Sequence, residues 1–228
     1  MIEIIPTCVP RDVSELEIGA RNIRPFANAI HVDIDDGIFA PHLTWPYSES
    51  GVFGGVNLSL LKGLAIEVHL MVEESQKLGE AFARAGTSRI IGHIEGFADA
   101  EAARAALAAW KGAGAREVGL GVLFQTPLDR VAPLIDLCDV VHLMTIATIG
   151  VQGIPYEDSA PARVEDFHRR FPKTPISVDG GVNESNIAQL VRAGATRFGV
   201  GSAIVKAENP QAAYTRLVAL AESVVNSR

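Results

Sequence analysis

Cysteine is scarce in this sequence: Cys8 and Cys138 are the only two in 228 residues, far apart and outside any Cys-x-x-Cys pair. This scarcity makes a disulfide improbable, and we expect two free thiols in the core. Apolar runs of transmembrane length are also missing, as is an N-terminal basic segment followed by an apolar stretch. The sequence therefore predicts a soluble cytoplasmic protein with no membrane partner.

Basic residues are outnumbered as well, with 20 Lys and Arg against 27 Asp and Glu and a net charge of −7. Because basic runs interleaved with aromatic residues are absent, we expect no nucleic-acid partner. Hydrophobic residues make up 48% of the chain, which is enough for a large core. No linker rich in Pro, Gly or Ser divides the sequence, so we expect residues 1–228 to form a single domain.

Short apolar runs alternate with amphipathic or Ala-rich stretches along the whole chain. The candidate strands are 2–8, 28–34, 64–71, 88–94, 116–123, 138–145, 175–179 and 196–200. Candidate helices include 73–85, 98–112 and 183–193, the last beginning at a capping Asn183 and ending at Gly194. Eight strand and helix units predict an α/β fold, a (β/α)8 TIM barrel. An open doubly wound sheet is the alternative, because periodicity does not show strand closure.

The stretch AIHVDIDDGIF, residues 29–39, places ionisable groups inside an apparent buried strand. Alternation puts His31, Asp33 and Asp35 on one face, while Ile and Val occupy the other. Uncompensated buried charge is costly, so buried charges are normally paired or bound to metal. The polar face of this strand is therefore a row of candidate ligands.

Similar groups end other predicted strands. His69 lies at the end of the third strand and Asp179 at the end of the seventh. A barrel would bring both to the same mouth as His31 and Asp33, and two His with two Asp suit Zn, Fe, Mn or Co. Each residue alone is better understood as a satisfied core His or a helix-capping Asp. Together, in a barrel, they predict a divalent-metal site.

Glycines follow the last two predicted strands, in VDGGVNESN (178–186) and GVGSAIVKAENP (199–210). Backbone N–H groups at such turns bind phosphate, and barrels commonly place a phosphate site there. Each glycine pair alone is equally compatible with an ordinary turn. Their joint position predicts a phosphorylated ligand.

These residues resemble the ribulose-phosphate 3-epimerase family over about residues 4–210. The matching stretches are HVDIDDG (family H-V-D-x-M-D-G), EVHLMV (D-V-H-L-M-V), HIE (H-x-E), HLMT (L-M-S), VDGGVNESNI and GSAI. The resemblance implies a ribulose-phosphate-binding barrel, a homo-oligomer, and a divalent metal held by His31, Asp33, His69 and Asp179. It also implies substrate contacts at Thr7 (Ser in the family), Met71, Met144, Gly180, Gly181, Gly201 and Ser202.

The chemistry implied by the resemblance is epimerisation beside a ketone, with Asp33 and Asp179 as the acid–base pair. A metal on the substrate oxygens would stabilise the enediolate between the two proton transfers. We therefore expect a metal-dependent ketose-phosphate 3-epimerase, acting on D-ribulose 5-phosphate or a relative. The alternatives are another sugar-phosphate barrel enzyme of decarboxylase or aldolase type, and a non-catalytic barrel. The decarboxylase and aldolase type is disfavoured because no predicted strand end carries Lys.

Several positions depart from the family pattern. Asp35 replaces Met, and it could bind metal, bind a substrate hydroxyl or pair with a cation. His42 replaces Asn, and either contacts substrate or lies on the surface. The loop 145–153 has altered spacing, so Gly150 and Gly153 would bind phosphate in a different register.

Three other polar residues carry structural expectations. Asp36 is expected to brace the turn that follows its strand. Glu67 and His142 lie two residues deeper than His69 and Met144, and we predict that they pair inside the barrel.

Overall fold

The computed structural model describes residues 2–73, 75–150 and 154–227. The strands of these residues, in chain order, are β1 (Glu3–Cys8), β2 (Ala29–Asp35), β3 (Tyr47–Glu49), β4 (Val52–Phe53), β5 (Ala65–Met71), β6 (Arg89–His93), β7 (Glu117–Val122), β8 (Val140–Met144), β9 (Ile176–Asp179) and β10 (Arg197–Val200). Eight of them form a closed parallel barrel in the order β1-β10-β9-β8-β7-β6-β5-β2. The predicted barrel is confirmed, each predicted strand lies within two residues of its observed bounds, and the open sheet is excluded.

The α-helices of the described residues are α1 (Val13–Ile23), α2 (Ser75–Arg84), α3 (Ala100–Ala113), α4 (Ala160–Arg170), α5 (Ile187–Ala193), α6 (Ser202–Val205) and α7 (Pro210–Asn226). Short 3-10 helices lie at Ser59–Leu61, Ile94–Gly96, Leu128–Arg130 and Ala132–Leu137. The helix predicted at 183–193 begins later, with Asn186 at its N-cap. Asn183 instead accepts a hydrogen bond from the backbone N–H of Ser185, which closes a local turn before the helix.

The loop after β2 contains the start of a small hairpin. β3 and β4 pair antiparallel, with Tyr47 opposite Phe53, and their rings meet edge to face at 5.8 Å. Aromatic pairs across two strands stabilise such hairpins, which the alternation pattern of so short a segment did not reveal.

Asp36 braces the same loop, as predicted. Its Oδ1 accepts hydrogen bonds from the backbone N–H groups of Ile38 and Phe39, and its Oδ2 accepts one from Glu73. The side chain thereby joins the turn after β2 to the segment after β5.

The main hydrophobic core lies between the outer strand faces and the helices. Trp110 of α3 is fully buried there, and its indole N–H donates to the carbonyl of Gln76. A Cβ at Gly79 or Gly92 would lie only 2.1 or 2.6 Å from the indole ring, so glycine at both positions makes room for the tryptophan. Cys8 and Cys138 are free and half-buried against this core, as predicted.

The inner strand faces are markedly polar, in contrast to this outer core. Buried polar residues on the barrel strands include His31, Asp33, Glu67, His69, His93, His142 and Ser177. Across the ranges that the structure describes, no helix combines the length and apolarity that a membrane crossing requires.

Candidate active site and metal-binding cluster

The residues at the centre of the site are positioned by the pairing of strands β2 and β5. His31 lies beside Glu67, and Asp33 lies beside His69. The two-residue alternation turns all four side chains into the barrel, because the apolar residues between them face the helices.

His31 is held by carboxylates on both ring nitrogens. Its Nδ1–H donates to Oε1 of Glu67 at 2.7 Å, and its Nε2 lies 3.1 Å from Oδ1 of Asp33. Burial alone would lower the pKa of His31, but the charges of Asp33 and Glu67 raise it well above its ordinary value. Glu67 fixes the ring so that Nε2 faces the mouth of the barrel.

Asp33 lies between two imidazoles. Its Oδ1 is also 3.0 Å from Nδ1 of His69. Burial would raise the pKa of Asp33, but His31 and His69 outweigh it and hold that pKa below its ordinary value. Asp33 is therefore an anion at neutral pH.

His69 continues the chain of contacts toward β6. Its Nε2 lies 2.8 Å from Nε2 of His93, and Nδ1 of His93 lies 3.2 Å from Oε2 of Glu95. Burial is the main cause that lowers the pKa of His69. The contact between two ring nitrogens requires that one of them carry the proton.

Asp179 faces the same imidazole from β9. Its Oδ2 lies 3.9 Å from Nδ1 of His69, and its Oδ1 accepts from the backbone N–H of Gly180 at 2.8 Å. Burial and the charge of Asp33 raise the pKa of Asp179 to about 6. Two carboxylates beside one histidine thus have pKa values displaced in opposite directions, as in acid–base pairs.

A cluster of possible metal ligands includes a residue that the sequence analysis did not assign to metal. One ligand atom from each of His31, His69, His142 and Asp179 lies within 4.8 Å of the others. Nδ1 of His142 lies 2.8 Å from the hydroxyl of Ser177. Its Nε2 is buried and has no hydrogen-bond partner among the described residues, and burial lowers its pKa well below the ordinary value.

The donor set fits a metal ion, because neutral imidazoles and carboxylates are ligands for divalent transition metals. The four residues predicted as ligands, His31, Asp33, His69 and Asp179, meet at this place. The predicted pairing of Glu67 with His142 is wrong. Glu67 binds His31 and Arg197 instead, because its side chain lies between them. His142 lies two residues before Met144 on β8, so strand alternation places both side chains inside the barrel. This alternation was the sequence signal that could have identified His142 as a further metal donor.

Apolar side chains cover the cluster on the mouth side. Met71 and Met144, predicted to line the site, pack with Ala40 and Ile149 in a small buried cluster. Together they form an apolar wall of the mouth.

The glycines predicted to bind phosphate follow β9 and β10. Gly180 and Gly181 have φ angles of 109° and 68°, which favour glycine and turn the backbone sharply after Asp179. Gly201 caps α6, and a Cβ there would lie 2.8 Å from Oγ1 of Thr7. Ser202, the first residue of α6, is exposed.

The loop after β8 contacts Gly180 and Gly181, but not through Gly150, which was expected to lie there. Ile146 and Tyr156 form an isolated bridge and lie against Gly180 and Gly181, respectively. Gly150 has a φ of 69° and packs instead against the Ala40–Pro41 segment. Gly153 lies outside the described residues.

The remaining departures from the family pattern differ in burial. His42 is exposed on the loop after β2. Asp35 is 1% exposed, and neither of its carboxylate oxygens has a hydrogen-bond partner within the described parts of the chain. Burial, with the charges of Asp33 and Asp36, raises the pKa of Asp35 to about 8.

Solved structures with a similar fold include two enzymes that are named for sugar-phosphate substrates. The 3-hexulose-6-phosphate synthase from Salmonella typhimurium has a TM-score of 0.68 and 14% identity, covering 98% of this chain and all of the other. The 3-keto-L-gulonate-6-phosphate decarboxylase from Vibrio cholerae has a TM-score of 0.66 and 13% identity, covering 98% and 99%. At these identities the likeness defines the class of fold, a TIM barrel.

Sequence comparison identifies the family within this class. The family model described as the ribulose-phosphate 3 epimerase family matches residues 3–205. The ribulose-phosphate 3-epimerase of Chlamydia muridarum is 32% identical over 84% of this chain and 83% of its own length. The cytoplasmic isoform of rice is 30% identical over 91% and 89%. The chain belongs to the ribulose-phosphate 3-epimerase family, which confirms the expected class of enzyme, a carbohydrate epimerase.

Proposed function

We propose that this protein is a metal-dependent ketose-phosphate 3-epimerase, acting on D-ribulose 5-phosphate and D-xylulose 5-phosphate or on a related ketose phosphate. The observation that carries the proposal is the pair Asp33 and Asp179. Both approach His69, and their pKa values are displaced in opposite directions. Membership of the epimerase family supports the reaction type.

Proton transfer at carbon 3 follows from the state of the two carboxyl groups. Asp33, held as an anion, removes the proton from one face of the substrate, and the electron pair moves toward the carbonyl to form an enediolate. Asp179, which faces the same imidazole from β9, returns a proton to the other face. The roles reverse in the opposite direction, and each positioned group contributes about 10²–10⁴-fold.

The residues that would hold the metal are His31, Asp33, His69 and Asp179, with Nε2 of His142 as a further donor. A divalent ion such as Zn, Fe, Mn or Co would polarise the ketose oxygens and so favour enediolate formation. Glu67 supports the ligand set, because a carboxylate on Nδ1 fixes the ring orientation of His31.

Substrate contacts are proposed on both sides of the reacting carbon. Backbone groups of Gly180, Gly181 and Gly201, with Ser202, would receive the phosphate, and Thr7 would contact the substrate. Met71 and Met144 would cover the enediolate with soft apolar groups that exclude water without adding charge.

The cellular location, the oligomeric state and the domain organisation of the protein are also proposals. A cytoplasmic location is supported by the name of the rice relative. A homo-oligomer, implied by the family resemblance, is testable by sedimentation. Folding of residues 1–228 as a single domain stays a prediction, consistent with one closed barrel. The decarboxylase or aldolase alternative rests on fold likeness alone.

Proton NMR in D₂O tests the proposed reaction. Metal-loaded protein is mixed with D-ribulose 5-phosphate, D-xylulose 5-phosphate or a ketohexose 6-phosphate, and the signal of the proton on carbon 3 is followed. We expect that signal to disappear as the substrate epimerises, and Asp179→Asn to slow the exchange by about 10²-fold or more. No exchange with any of these substrates by protein shown to hold metal would contradict the proposal.

A further inference from the structure

Asp35 is a buried carboxyl group that forms no hydrogen bond with the described part of the chain. Its side chain is almost fully buried, and both of its oxygens are without a hydrogen-bond partner among the described residues. An unsatisfied buried polar group is costly, so retaining it requires a partner other than the described residues, or a compensating role.

The position of Asp35 directs this group toward the mouth of the site. Asp35 is two residues beyond Asp33 on β2, so the alternation of the strand gives both the same inward face. Its register partner on β5 is Met71, which belongs to the apolar cluster over the site. Asp35 is thus a polar group in an otherwise apolar wall.

Neither a cationic side chain nor the metal cluster supplies a partner for Asp35. Within the residues that the structure describes, no Lys, Arg or His forms an ion pair with it. Among the described residues, Asp35 makes no hydrogen bond to the candidate metal ligands, whereas Asp33 lies 3.1 Å from His31 and 3.0 Å from His69. A hydroxyl group of the substrate would supply the missing hydrogen-bond partner.

We propose that Asp35 is a specificity-determining residue that hydrogen-bonds the hydroxyl on carbon 1 of the ketose phosphate. This inference rests on the proposed function, because the two ends of the substrate are placed relative to a reacting carbon that lies between Asp33 and Asp179. From that carbon, the phosphate end of the substrate runs toward the glycines after β9 and β10. In the closed barrel β2 lies two strand positions from β10 and three from β9, and the proposal places Asp35 against the other end of the sugar, which carries carbon 1.

The chemistry of a carboxyl group suits this role in either protonation state. A carboxylate accepts from a hydroxyl, and a carboxylic acid both donates and accepts. A site built to hydrogen-bond a hydroxyl also rejects substrates that lack it, since its own buried group is then left unpaired. The Met found in the family at this position offers no such contact.

A pair of substrates that differ only in this hydroxyl tests the proposal. D-Xylulose 5-phosphate and 1-deoxy-D-xylulose 5-phosphate are compared by deuterium exchange at carbon 3, with kcat and KM measured for each. The wild type is expected to prefer the hydroxylated substrate by about 10²-fold or more in kcat/KM. In Asp35→Met this preference falls below about 3-fold, mainly because the hydroxylated substrate loses its contact.

Asp35→Asn is the matched control, because its amide retains a hydrogen-bonding group of the same shape. We expect Asn to preserve most of the preference that Met abolishes. If the wild type and Asp35→Met prefer the hydroxylated substrate by the same factor in kcat/KM, the inference is overturned. If the wild type with bound metal exchanges neither of these substrates, nor D-ribulose 5-phosphate, nor a ketohexose 6-phosphate, the proposed function itself fails, so the two failures are distinguishable.

Two physical measurements separate this role from a structural or metal-binding one. Asp35→Met is expected to unfold at the same or a higher urea concentration than the wild type, since it removes an unsatisfied buried group. It is also expected to bind Zn²⁺ or Mn²⁺ with unchanged stoichiometry by elemental analysis. A less stable variant or the loss of bound metal would assign Asp35 to structure or to the metal, and would overturn the inference.

Discussion

The base and the mouth of this barrel both carry carboxylates, but among the described residues guanidinium groups form ion pairs with them only at the base. At the base, residues on the inner strand faces form an ion-pair network of Glu3, Glu67, Arg89, Glu117 and Arg197. Arg197 alone contacts Glu3 and Glu67 at 3.2 Å and Glu117 at 2.7 Å. The polypeptide itself completes this end.

The mouth has the opposite balance. Among the described side chains, the cationic partners of Asp33 and Asp179 are imidazoles, at 3.0–3.9 Å, and Asp35 has no hydrogen-bond partner. Nε2 of His142 is likewise without one in the described ranges. Side-chain groups without hydrogen-bond partners therefore lie at the mouth, where ligands are expected to bind. The ion-pair network at the base has the different role of stabilising the fold.

Glu67 connects the two ends. It accepts from Arg197 on one side and from His31 on the other. The orientation of a proposed metal ligand therefore depends on a residue anchored to the base.

The largest expected change in stability is at the base. Arg197→Met leaves the buried Glu67 without its closest guanidinium, so we expect a loss of about 3 kcal/mol in the free energy of unfolding. Urea denaturation measures it. Arg216→Met is the matched control, since Arg216 pairs with Glu184 on the surface with side chains 56% and 44% exposed. That variant should change stability by less than about 1 kcal/mol. Equal losses in the two variants would contradict the comparison.

A smaller change of opposite sign is expected at the mouth. Asp179→Asn removes a buried charge close to Asp33, so the metal-free variant should be more stable than the wild type by about 1–2 kcal/mol at pH 8. Because folding raises the pKa of Asp179 to about 6, the wild type loses stability as the pH rises from about 4 to about 6. The difference between the proteins should grow over that range, level off above it and vanish near pH 4. Urea unfolding in EDTA at several pH values measures this, and a destabilised variant would show that the mouth is as complete as the base.

The sequence predicted the barrel well because eight apolar runs and their helices are local patterns. The approach of His31, Asp33, His69 and Asp179 followed from their common position near strand ends. The hairpin within the loop after β2 was missed, since two very short strands leave little alternation to detect.

Interactions between distant strands were harder to predict. The partner of Glu67 depends on barrel register and on the reach of Arg197, neither of which periodicity gives. His142 joined the candidate ligands only when the closed barrel stacked its ring against that of His31, with centroids 5.5 Å apart. The lack of partners for Asp35 among the described residues is likewise a property of three-dimensional packing.

The most direct test of the account is metal binding by the mouth. Protein stripped with a chelator is titrated with Zn²⁺ or Mn²⁺, and bound metal and the free energy of unfolding are measured together. We predict a single ion per chain and a gain of about 2.7 kcal/mol when the free ion is at 100 times its Kd. His69→Ala should abolish both, whereas Glu117→Gln at the base should retain the stoichiometry. No stoichiometric binding, or binding that survives His69→Ala, would contradict the claim that the mouth is completed by a metal.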